Sequence, residues 1–376
     1  MIRILATGDF QIDKSFSTLR KYSSKFNQQL INTFTEVIVE HAPNHDLVLI
    51  AGDLFDRAES HTRVIQSIGD ILAKCPTTCV ILPGNHDPVN SGIPGVLSSY
   101  LEGMGANHIH VSLNRKPIIL DNHNCTIFPG TFYSKDDISD MTEGVTKRVP
   151  EDGIRIGLFH GVLNILPNGK ISPDLAKNKD LDIVVCGDQH GPSDGNEEDS
   201  ELFSIEVSRK RKLFYSMAPE PMHINQNFNG KYTRIELSEK GKILDAERID
   251  VGKIRFINDT IQFNDVNLDG LQAINDVFDR EDIFPELTSI RLVLQGYISI
   301  DMIENLDSLI QSLRLEWPLL EVIDDDLVRE SEDEGQLDDT NPTYRILKEK
   351  IVNSNSSSTV KERALKLLKI NLDRWI

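Results

Sequence analysis

Two acidic loops near the N-terminus contain side chains of the types that bind divalent metals and phosphate. The apolar segment at residues 46–56 ends in GDLFD, and the one at residues 78–87 ends in GNHD. Each apolar run is typical of a strand buried on both faces, and open α/β sheets carry their active sites at the carboxyl ends of such strands. The two loops supply five polar residues: Asp53, Asp56, Asn85, His86 and Asp87. Hard oxygen donors with one imidazole suit a divalent metal and a phosphate better than an apolar substrate.

Three further apolar runs end in acidic or imidazole side chains. These residues are Asp9 in ATGDFQ, His160 in IGLFHG, and Asp188 with His190 in CGDQHG. In any single loop, Asp or Asn beside Gly could simply form a turn. Because five strand ends carry metal-binding residue types, the sequence predicts that they meet in one crevice.

Length and composition predict two or three domains without a membrane segment. A chain of 376 residues with 16 prolines is too long for one compact core, and it has no run of about 18 apolar residues. The first strand starts at residue 2 without a signal-peptide pattern, so we expect a cytoplasmic protein. The cysteines lie in or beside apolar runs without CxxC spacing, which predicts reduced core thiols at Cys75, Cys79, Cys125 and Cys186.

The net charge of −19, taken alone, argues against nucleic acid binding. Charge location matters more, because many carboxylates belong to the expected metal site and to an acidic segment near the C-terminus. Basic clusters remain at Lys14, Arg20, Lys21 and Lys25 and at Arg209, Lys210, Arg211 and Lys212. The second cluster could contact DNA phosphates or form a solvated hairpin.

The pattern of apolar residues predicts an α/β (α+β) fold for residues 1–250. We expect strands at 2–6, 46–51, 78–82, 108–112, 117–120, 124–128, 154–159, 182–186, 202–207, 212–215, 231–237 and 243–249, and helices at about 24–41, 60–74 and 92–104. The alternation in the first half and the succession of strands in the second predict one sheet packed on another, with helices flanking both.

The rest of the chain predicts three smaller segments. Residues 251–323 read β-α-β-α-β and predict a small α/β domain, whereas the acidic residues 324–340 predict a solvated linker. Residues 341–376 predict two amphipathic helices with apolar stripes at Tyr344, Leu347 and Ile351 and at Leu367, Leu368, Leu372 and Trp375. Because two short helices have too little core to stand alone, they should either fold back on the rest of the chain or bind a partner, and the preceding linker favours a partner.

The order of these motifs resembles that of the calcineurin-like metallophosphoesterases, D-x-H, GD-x-x-D, GNH-D/E, H and GH-x-H. GDLFDR and GNHD stand complete, and the whole chain is most similar to SbcD-type nucleases, the nuclease subunits of SbcCD and MRN complexes. The resemblance implies a four-layer sandwich of sheets and helices, a capping domain and a helical pair.

The same resemblance implies a role for each site residue. Asp53 would bridge two divalent ions, normally Mn²⁺. Asp9 and His190 would lie on one ion, and Asn85 and His160 on the other. His86 would act beside the phosphate, with Asp56 orienting it. Two ions can activate a water and stabilise the attacking and leaving oxygens of a phosphodiester.

Two metal positions depart from the family pattern. Gln11 replaces the histidine of D-x-H, and Asp188 replaces the first histidine of GH-x-H. An amide oxygen is a weaker ligand than imidazole, while the added carboxylate favours Mn²⁺ or Mg²⁺. In the segment 215–223, Met217 and Ala218 stand where the resemblance implies a glycine and a serine, although the segment could still border the site.

The resemblance implies a DNA exonuclease or endonuclease that processes double-strand breaks or intermediates of recombination and replication. The terminal helices would bind an SbcC-type, SMC-like coiled-coil ATPase, and the helices at 60–74 and 92–104 would pair two copies into a homodimer, with no role for a membrane. Two alternatives stay open: a stand-alone phosphatase or cyclic-nucleotide phosphodiesterase, and a catalytically weakened subunit kept for assembly.

Overall fold

The chain forms two compact units in a computed structural model. The structure describes residues 1–57, 60–164, 171–192, 196–263, 269–329 and 342–354, with Lys361, Ala364, Leu365 and Leu368. The first unit comprises residues 1–257 and 282–289, and the second comprises residues 258–281 and 290–376. Within the described ranges, no helix is long and apolar enough to cross a membrane.

Strands and helices alternate in the first half of the chain, as the sequence predicts. The strands are β1 (Ile2–Thr7), β2 (Leu47–Ala51), β3 (Thr78–Leu82), β4 (Ile109–Val111), β5 (Ile118–Leu120), β6 (Cys125–Pro129), β7 (Ile154–His160), β8 (Ile183–Gly187), β9 (Leu213–Tyr215), β10 (Lys231–Leu237), β11 (Ile243–Asp250), β12 (Arg255–Phe263), β13 (Thr288–Ile298) and β14 (Leu320–Arg329). The α-helices are α1 (Ser23–Thr35), α2 (Thr62–Ala73), α3 (Ile93–Gly103), α4 (Leu175–Asn178), α5 (Ile205–Arg211), α6 (Asp269–Phe278), α7 (Ile300–Glu316) and α8 (Pro342–Val352).

Two mixed sheets form the first unit. The first sheet has the order β11-β10-β1-β2-β3-β4, and the second has the order β5-β6-β7-β8-β9. The strands β1 to β4 run parallel, as do β6 to β9, so their carboxyl ends lie at the same edge of each sheet. This arrangement brings together the strand ends that carry the candidate residues.

Three apolar cores separate four layers in this unit. One core lies between the two sheets and contains alternate residues of their strands, among them Ile4, Leu49 and Leu158. A second lies between the first sheet and helices α1, α2 and α3, and the third covers the outer face of the second sheet. The predicted α/β fold of two sheets flanked by helices is confirmed. All four cysteines are buried and unpaired, as predicted.

The second unit contains a three-stranded sheet of order β12-β13-β14, in which β13 and β14 run parallel. Helices α6 and α7 connect the strands, which gives the predicted β-α-β-α-β order. β12 begins in the first unit, so residues 251–257 lie with the larger body, although the sequence predicts a boundary after residue 250.

Two predicted elements are wrong. Residues 202–207 do not form a strand; they lead into helix α5, which Ser204 caps by accepting the N–H of Val207. Residues 324–329, predicted as the start of the linker, instead complete strand β14. Acidic side chains fit this strand because Leu327 is buried, whereas Asp324 pairs with Arg329 at 3.0 Å.

Residues 330–341, which include the rest of the predicted linker, lie outside the described residues.

Candidate metal and phosphoester site

The loops after β1 and β2 run side by side and continue the pairing of their strands. The backbone N–H of Asp9 donates to Gly52 O, and that of Gln11 donates to Asp53 O, each at 3.0 Å. Farther on, the N–H of Asp56 donates to the carbonyl of Ile12 at 2.9 Å. The two acidic loops therefore form a single wall of the crevice, with a fixed register between them.

Four candidate residues have a left-handed backbone. The φ angles are 52° for Asp9, 45° for Gln11, 51° for Asp53 and 85° for Asp188. Residues other than glycine adopt this region at a cost of about 1–3 kcal/mol each, and such positions cluster at functional sites. The surrounding hydrogen bonds hold these turns in place and so fix the direction of each side chain.

One set of donor atoms converges on Nε2 of His160. This nitrogen lies 2.8 Å from Asn85 Oδ1, 3.5 Å from Asp53 Oδ2 and 3.6 Å from Asp188 Oδ1. Ligand atoms on one ion with bonds of about 2.1–2.2 Å are ~3.0–3.6 Å apart, so these separations are close to those of a coordination shell. Asp9, Asp53 and His160 are also fully buried and offer ligand atoms within 4.8 Å of one another.

The tautomer of His160 suits a metal ligand. Its Nδ1 donates to the carbonyl oxygen of Ala51 at 2.8 Å, which leaves the lone pair of a neutral ring on Nε2. A backbone carbonyl on the outer nitrogen is a common way to orient a metal-binding histidine. The residues present therefore fit one divalent ion at this position.

Glycines allow the loops to approach this closely. A Cβ on Gly84 would collide with the carboxylate of Asp53, and a Cβ on Gly52 would collide with the His160 ring. The glycines of GD and GN are thus required by packing at the site as well as by the turn.

The buried carboxylates make the place beside His160 attractive to positive charge. Burial alone would lower the pKa of His160, but Asp53, Asp9 and Asp188 raise it well above its usual value. Burial raises the pKa of Asp9, and the negative charges of Asp53 and Asp188 raise it further. A divalent ion would supply the positive charge that these carboxylates favour.

His86 stands at the mouth of the site. Its backbone N–H donates to Asp53 Oδ1 at 2.9 Å, and its Nδ1 donates to the carbonyl oxygen of Asp56 at 2.9 Å. The Asp56 carboxylate is farther from Nδ1, at 3.7 Å. The predicted orientation of His86 by Asp56 is therefore made mainly through the backbone. Since the side chain of His86 is 34% exposed, the imidazole ring reaches the surface of the site.

Asp87 was predicted to project into the crevice with its neighbours, but its carboxylate turns to the backbone of the two loops instead. Its carboxylate accepts the N–H groups of Gly84 and Phe55 at 2.8 and 3.0 Å, which ties the two loops together. Burial and the nearby Asp53 raise the pKa of Asp87 to about 7. Its role is to hold the loops in register.

The comparisons identify the family. The model of the calcineurin-like phosphoesterases matches residues 2–192, which include every candidate ligand. The chain belongs to this family. Calcineurin-like phosphoesterases hydrolyse phosphoester bonds with divalent metal ions, and the His160 position has the donors for such an ion.

Solved structures show weaker similarity. The crystal structure of TT1561 of Thermus thermophilus is 12% identical, with a TM-score of 0.39, over 66% of this chain and 99% of that chain. A second crystal structure is 10% identical, with a TM-score of 0.40, over 66% of this chain and 98% of its own. No curated protein matches the sequence. The family assignment therefore rests on the sequence model.

The second metal position implied by the phosphoesterase pattern, around Gln11 and His190, does not have the donor atoms found at the His160 position. Gln11 turns its Oε1 to Lys14 Nζ at 2.9 Å, and its Nε2 lies 3.3 Å from His190 Nε2. Asp9 Oδ1 is 3.9 Å from the same histidine nitrogen. Burial lowers the pKa of His190 to about 4, so the ring is neutral near pH 7. In this arrangement Gln11 presents its amide N–H groups to the crevice, and these cannot bind a cation.

Sequence reasoning missed two residues of this site. Lys14 counted only as part of a basic cluster, yet its Nζ lies 2.9 Å from both Gln11 Oε1 and Asp56 Oδ1. Gln226 holds His190 from the other side at 3.0 Å. Because Lys14 follows Asp9 in the same loop, the sequence could have indicated that it lies at the site. Nothing in the sequence near Gln226 indicated its role.

The segment 215–223 does border the site. The N–H of Ala218 donates to the carbonyl of His190 at 2.7 Å, and Met217 adopts a φ of 56°. These contacts fix the backbone of the GDQH loop.

The predicted DNA-binding run ends helix α5. Arg209 pairs with Asp245 at 2.6 Å, Lys210 with Glu206 at 2.6 Å and Arg211 with Glu201 at 2.5 Å. Lys212 follows the helix with a left-handed φ of 55°. The alternative of a solvated hairpin is therefore wrong. Exposed pairs of this kind contribute about 0–1 kcal/mol, so DNA contact by this run stays a prediction.

Part of the predicted partner surface lies on α8. Tyr344 is 3% exposed, Leu347 is 36% exposed and Ile351 is half-buried. Leu368 is helical and half-buried, whereas Leu367, Leu372 and Trp375 lie outside the described residues. On α8, Leu347 thus offers more free surface than Tyr344.

Proposed function

We propose that this phosphoesterase is a metal-dependent DNA nuclease that acts in the cytoplasm as a subunit of an SbcCD- or MRN-like complex. The observation that carries the proposal is the position of His86, whose backbone binds the Asp53 carboxylate while its ring faces outward. A metal-binding carboxylate and an accessible imidazole thus lie side by side, as hydrolysis of a phosphodiester requires.

Different residues would hold the metal ion and position the imidazole. Asp53, Asn85, Asp188 and His160 would hold a divalent ion, which supplies a Lewis acid for the phosphoryl group. Asp56 fixes the His86 ring through its carbonyl oxygen, so that Nε2 can bind the substrate. When protonated, His86 Nε2 can donate a proton to the leaving oxygen.

The donor set favours Mn²⁺, with Mg²⁺ as a weaker choice. Three of the four atoms around this position are oxygens, from Asp53, Asp188 and Asn85, and the fourth is an imidazole nitrogen. Oxygen-rich sites with one histidine suit Mn²⁺ better than softer ions. Replacing histidine by Asp188 strengthens this preference.

DNA is a better substrate for this proposal than a small phosphoester. His86 and Asp188 are partly exposed, with side chains 34% and 25% accessible, so the site opens to the surface. A second unit with the β-α-β-α-β order follows the phosphoesterase domain, as the resemblance to SbcD-type nucleases implies. A stand-alone phosphatase would not need this unit.

A nuclease assay tests the proposal. Wild-type protein and His86→Ala are incubated with end-labelled duplex and single-stranded DNA in Mn²⁺ or Mg²⁺, beside p-nitrophenyl phosphate and cyclic AMP. We expect metal-dependent DNA cleavage that is lost in His86→Ala and retained in His61→Ala, a control on the exposed residue before α2. Turnover of the small substrates alone would contradict the DNA assignment.

We also propose that residues 341–376 bind an SbcC-type coiled-coil ATPase. Support comes from the amphipathic α8, on which Leu347, Ile346 and Val352 are exposed. Deleting residues 341–376 should abolish co-purification with the ATPase and leave DNA cleavage by the first unit intact. Unchanged co-purification would refute the docking role.

A homodimer through α2 and α3 is part of the same proposal. Val96 and Met104, in and just after α3, are 41% and 48% exposed, and the Tyr100 hydroxyl joins the two helices by donating to Asp70 at 2.7 Å. Light scattering should show a dimer that Val96→Asp converts to a monomer; a monomeric wild type would contradict the pairing.

A further inference from the structure

The orientation of the Gln11 amide is set by Lys14. An ammonium group only donates, so the amide atom 2.9 Å from Lys14 Nζ must be the acceptor Oε1. The opposite orientation would place an NH₂ group against the ammonium. The NH₂ group of Gln11 therefore points to His190 and cannot act as a metal ligand.

The orientation of the His190 ring is set from the other side by Gln226. Gln226 Oε1 accepts the backbone N–H of Met222 at 2.6 Å, so its Nε2 is the atom that donates to His190 Nδ1 at 3.0 Å. A histidine that accepts at Nδ1 carries its hydrogen on Nε2. That nitrogen, which the resemblance assigns to an ion, is then a hydrogen-bond donor.

Two donors consequently lie next to each other where a second ion is expected. Gln11 Nε2 and His190 Nε2 are 3.3 Å apart, and neither offers a lone pair to the other. An oxygen of an anion placed between them would accept from both. The same groups would exclude a cation, because their hydrogens carry partial positive charge.

Lys14 adds a full positive charge beside these donors. Among the described residues its acceptors are Gln11 Oε1 and Asp56 Oδ1, which leaves one of its three N–H bonds for a further acceptor. Asn27 anchors the loop by donating to the Lys14 carbonyl at 2.6 Å. Gln11 and Asp56 thus hold the ammonium at the site, and Asn27 on α1 holds the backbone of the same residue.

We propose that this chain binds a single divalent ion, at His160, and that Lys14, Gln11 and His190 bind a phosphate oxygen of the substrate where a second ion is expected. The inference rests on the proposed phosphodiesterase function and changes how that function is achieved. A fixed ammonium and two N–H donors would offset the charge of the phosphate in place of the second ion.

Metal stoichiometry tests the first half without any measurement of activity. The full-length wild-type protein is dialysed to equilibrium against Mn²⁺, and bound manganese is measured by elemental analysis. We expect one ion per chain, and two ions per chain would overturn the inference. The triple variant Gln11→His, Lys14→Met, Gln226→Ala places an imidazole at position 11, removes the ammonium and removes the group that holds the hydrogen on His190 Nε2, so it should bind a second ion.

Binding of inorganic phosphate to the Mn²⁺-loaded protein tests the second half. Lys14→Met should weaken phosphate binding, measured by calorimetry, by about 10- to 100-fold, as expected for loss of a charge-assisted hydrogen bond. Lys240→Met, in an exposed turn, is the matched control and should bind as the wild type does. Equal affinity in Lys14→Met, with one manganese retained and an unchanged circular dichroism spectrum, would overturn the role of Lys14.

The two proposals fail in different ways. One bound ion and Lys14-dependent phosphate binding without cleavage of DNA would contradict only the nuclease function. Two bound ions with DNA cleavage would contradict only the present inference.

Discussion

His86 Nδ1 donates to the backbone carbonyl oxygen of Asp56 at 2.9 Å. The imidazole of the GNHD loop is therefore oriented by the main chain of the GDLFD loop. The Asp87 carboxylate joins the same two loops by accepting N–H groups from both. The position of the imidazole relative to Asp53 is therefore a property of two paired loops.

His86→Ala should lower kcat for phosphodiester cleavage by about 10²–10⁴-fold, the usual loss when a positioned acid or base is removed. The affinity for Mn²⁺ should stay within about twofold, because His86 Nε2 lies 3.9 Å from Asp53 Oδ2 and is not one of the four atoms assigned to the ion. Cleavage rates and equilibrium dialysis measure the two quantities. A large loss of metal affinity would assign His86 to the metal site instead.

His160→Ala should weaken Mn²⁺ binding by at least about 100-fold, because it removes the atom on which Asn85, Asp53 and Asp188 converge. Calorimetric titration with Mn²⁺ gives the affinity. His110→Ala, on strand β4, is the control and should leave the affinity unchanged. Equal binding by wild type and His160→Ala would place the ion elsewhere.

Mn²⁺ affinity should rise with pH through the neutral range. The carboxylates of Asp53, Asp9 and Asp188 raise the pKa of His160 against the opposing effect of burial, so a proton competes with the ion above pH 6.5. Each unit of pH should then increase the affinity by about tenfold until His160 is neutral. Titrations between pH 6.5 and 8 test this; an affinity that is flat across the range would show that no proton is displaced.

Glu220 should make the stability of the protein depend on pH. The side chain is buried and accepts the N–H groups of Lys253 and Ile254, but burial still raises its pKa to about 7. The folded state then binds more protons than the unfolded state between pH 4.5 and 7, so the free energy of unfolding falls as pH rises through that window.

Glu220→Gln should remove this dependence. Between pH 5 and 8 the wild type should lose about 2.5 kcal/mol more unfolding free energy than the variant, as measured by urea denaturation. Glu239→Gln, whose side chain is 89% exposed, should follow the wild type. Parallel curves for wild type and Glu220→Gln would mean that Glu220 titrates normally.

Much of the first unit is predictable because each strand is short, apolar and followed by polar residues. Leu47–Ala51 and Thr78–Leu82 are buried strands as predicted, and their loops carry Asp53 and Asn85 to one crevice. The prediction for residues 202–207 was wrong because the apolar Leu202, Phe203 and Ile205 suit a strand, whereas the capping Ser204 starts a helix. Acidic composition likewise concealed β14, in which the described residues include only one buried side chain, that of Leu327.

The sequence by itself determined the family, the residue types at the metal site and the strand ends that carry them, because these follow from motif order and local apolar pattern. Only the tertiary structure decided which atoms Gln11 and His190 present to the crevice. Lys14, Met222 and Gln226 fix which atoms of an amide and an imidazole face the crevice. Residues 179 positions apart meet there, and the direction of a donor depends on such long-range contacts, which residue spacing does not encode.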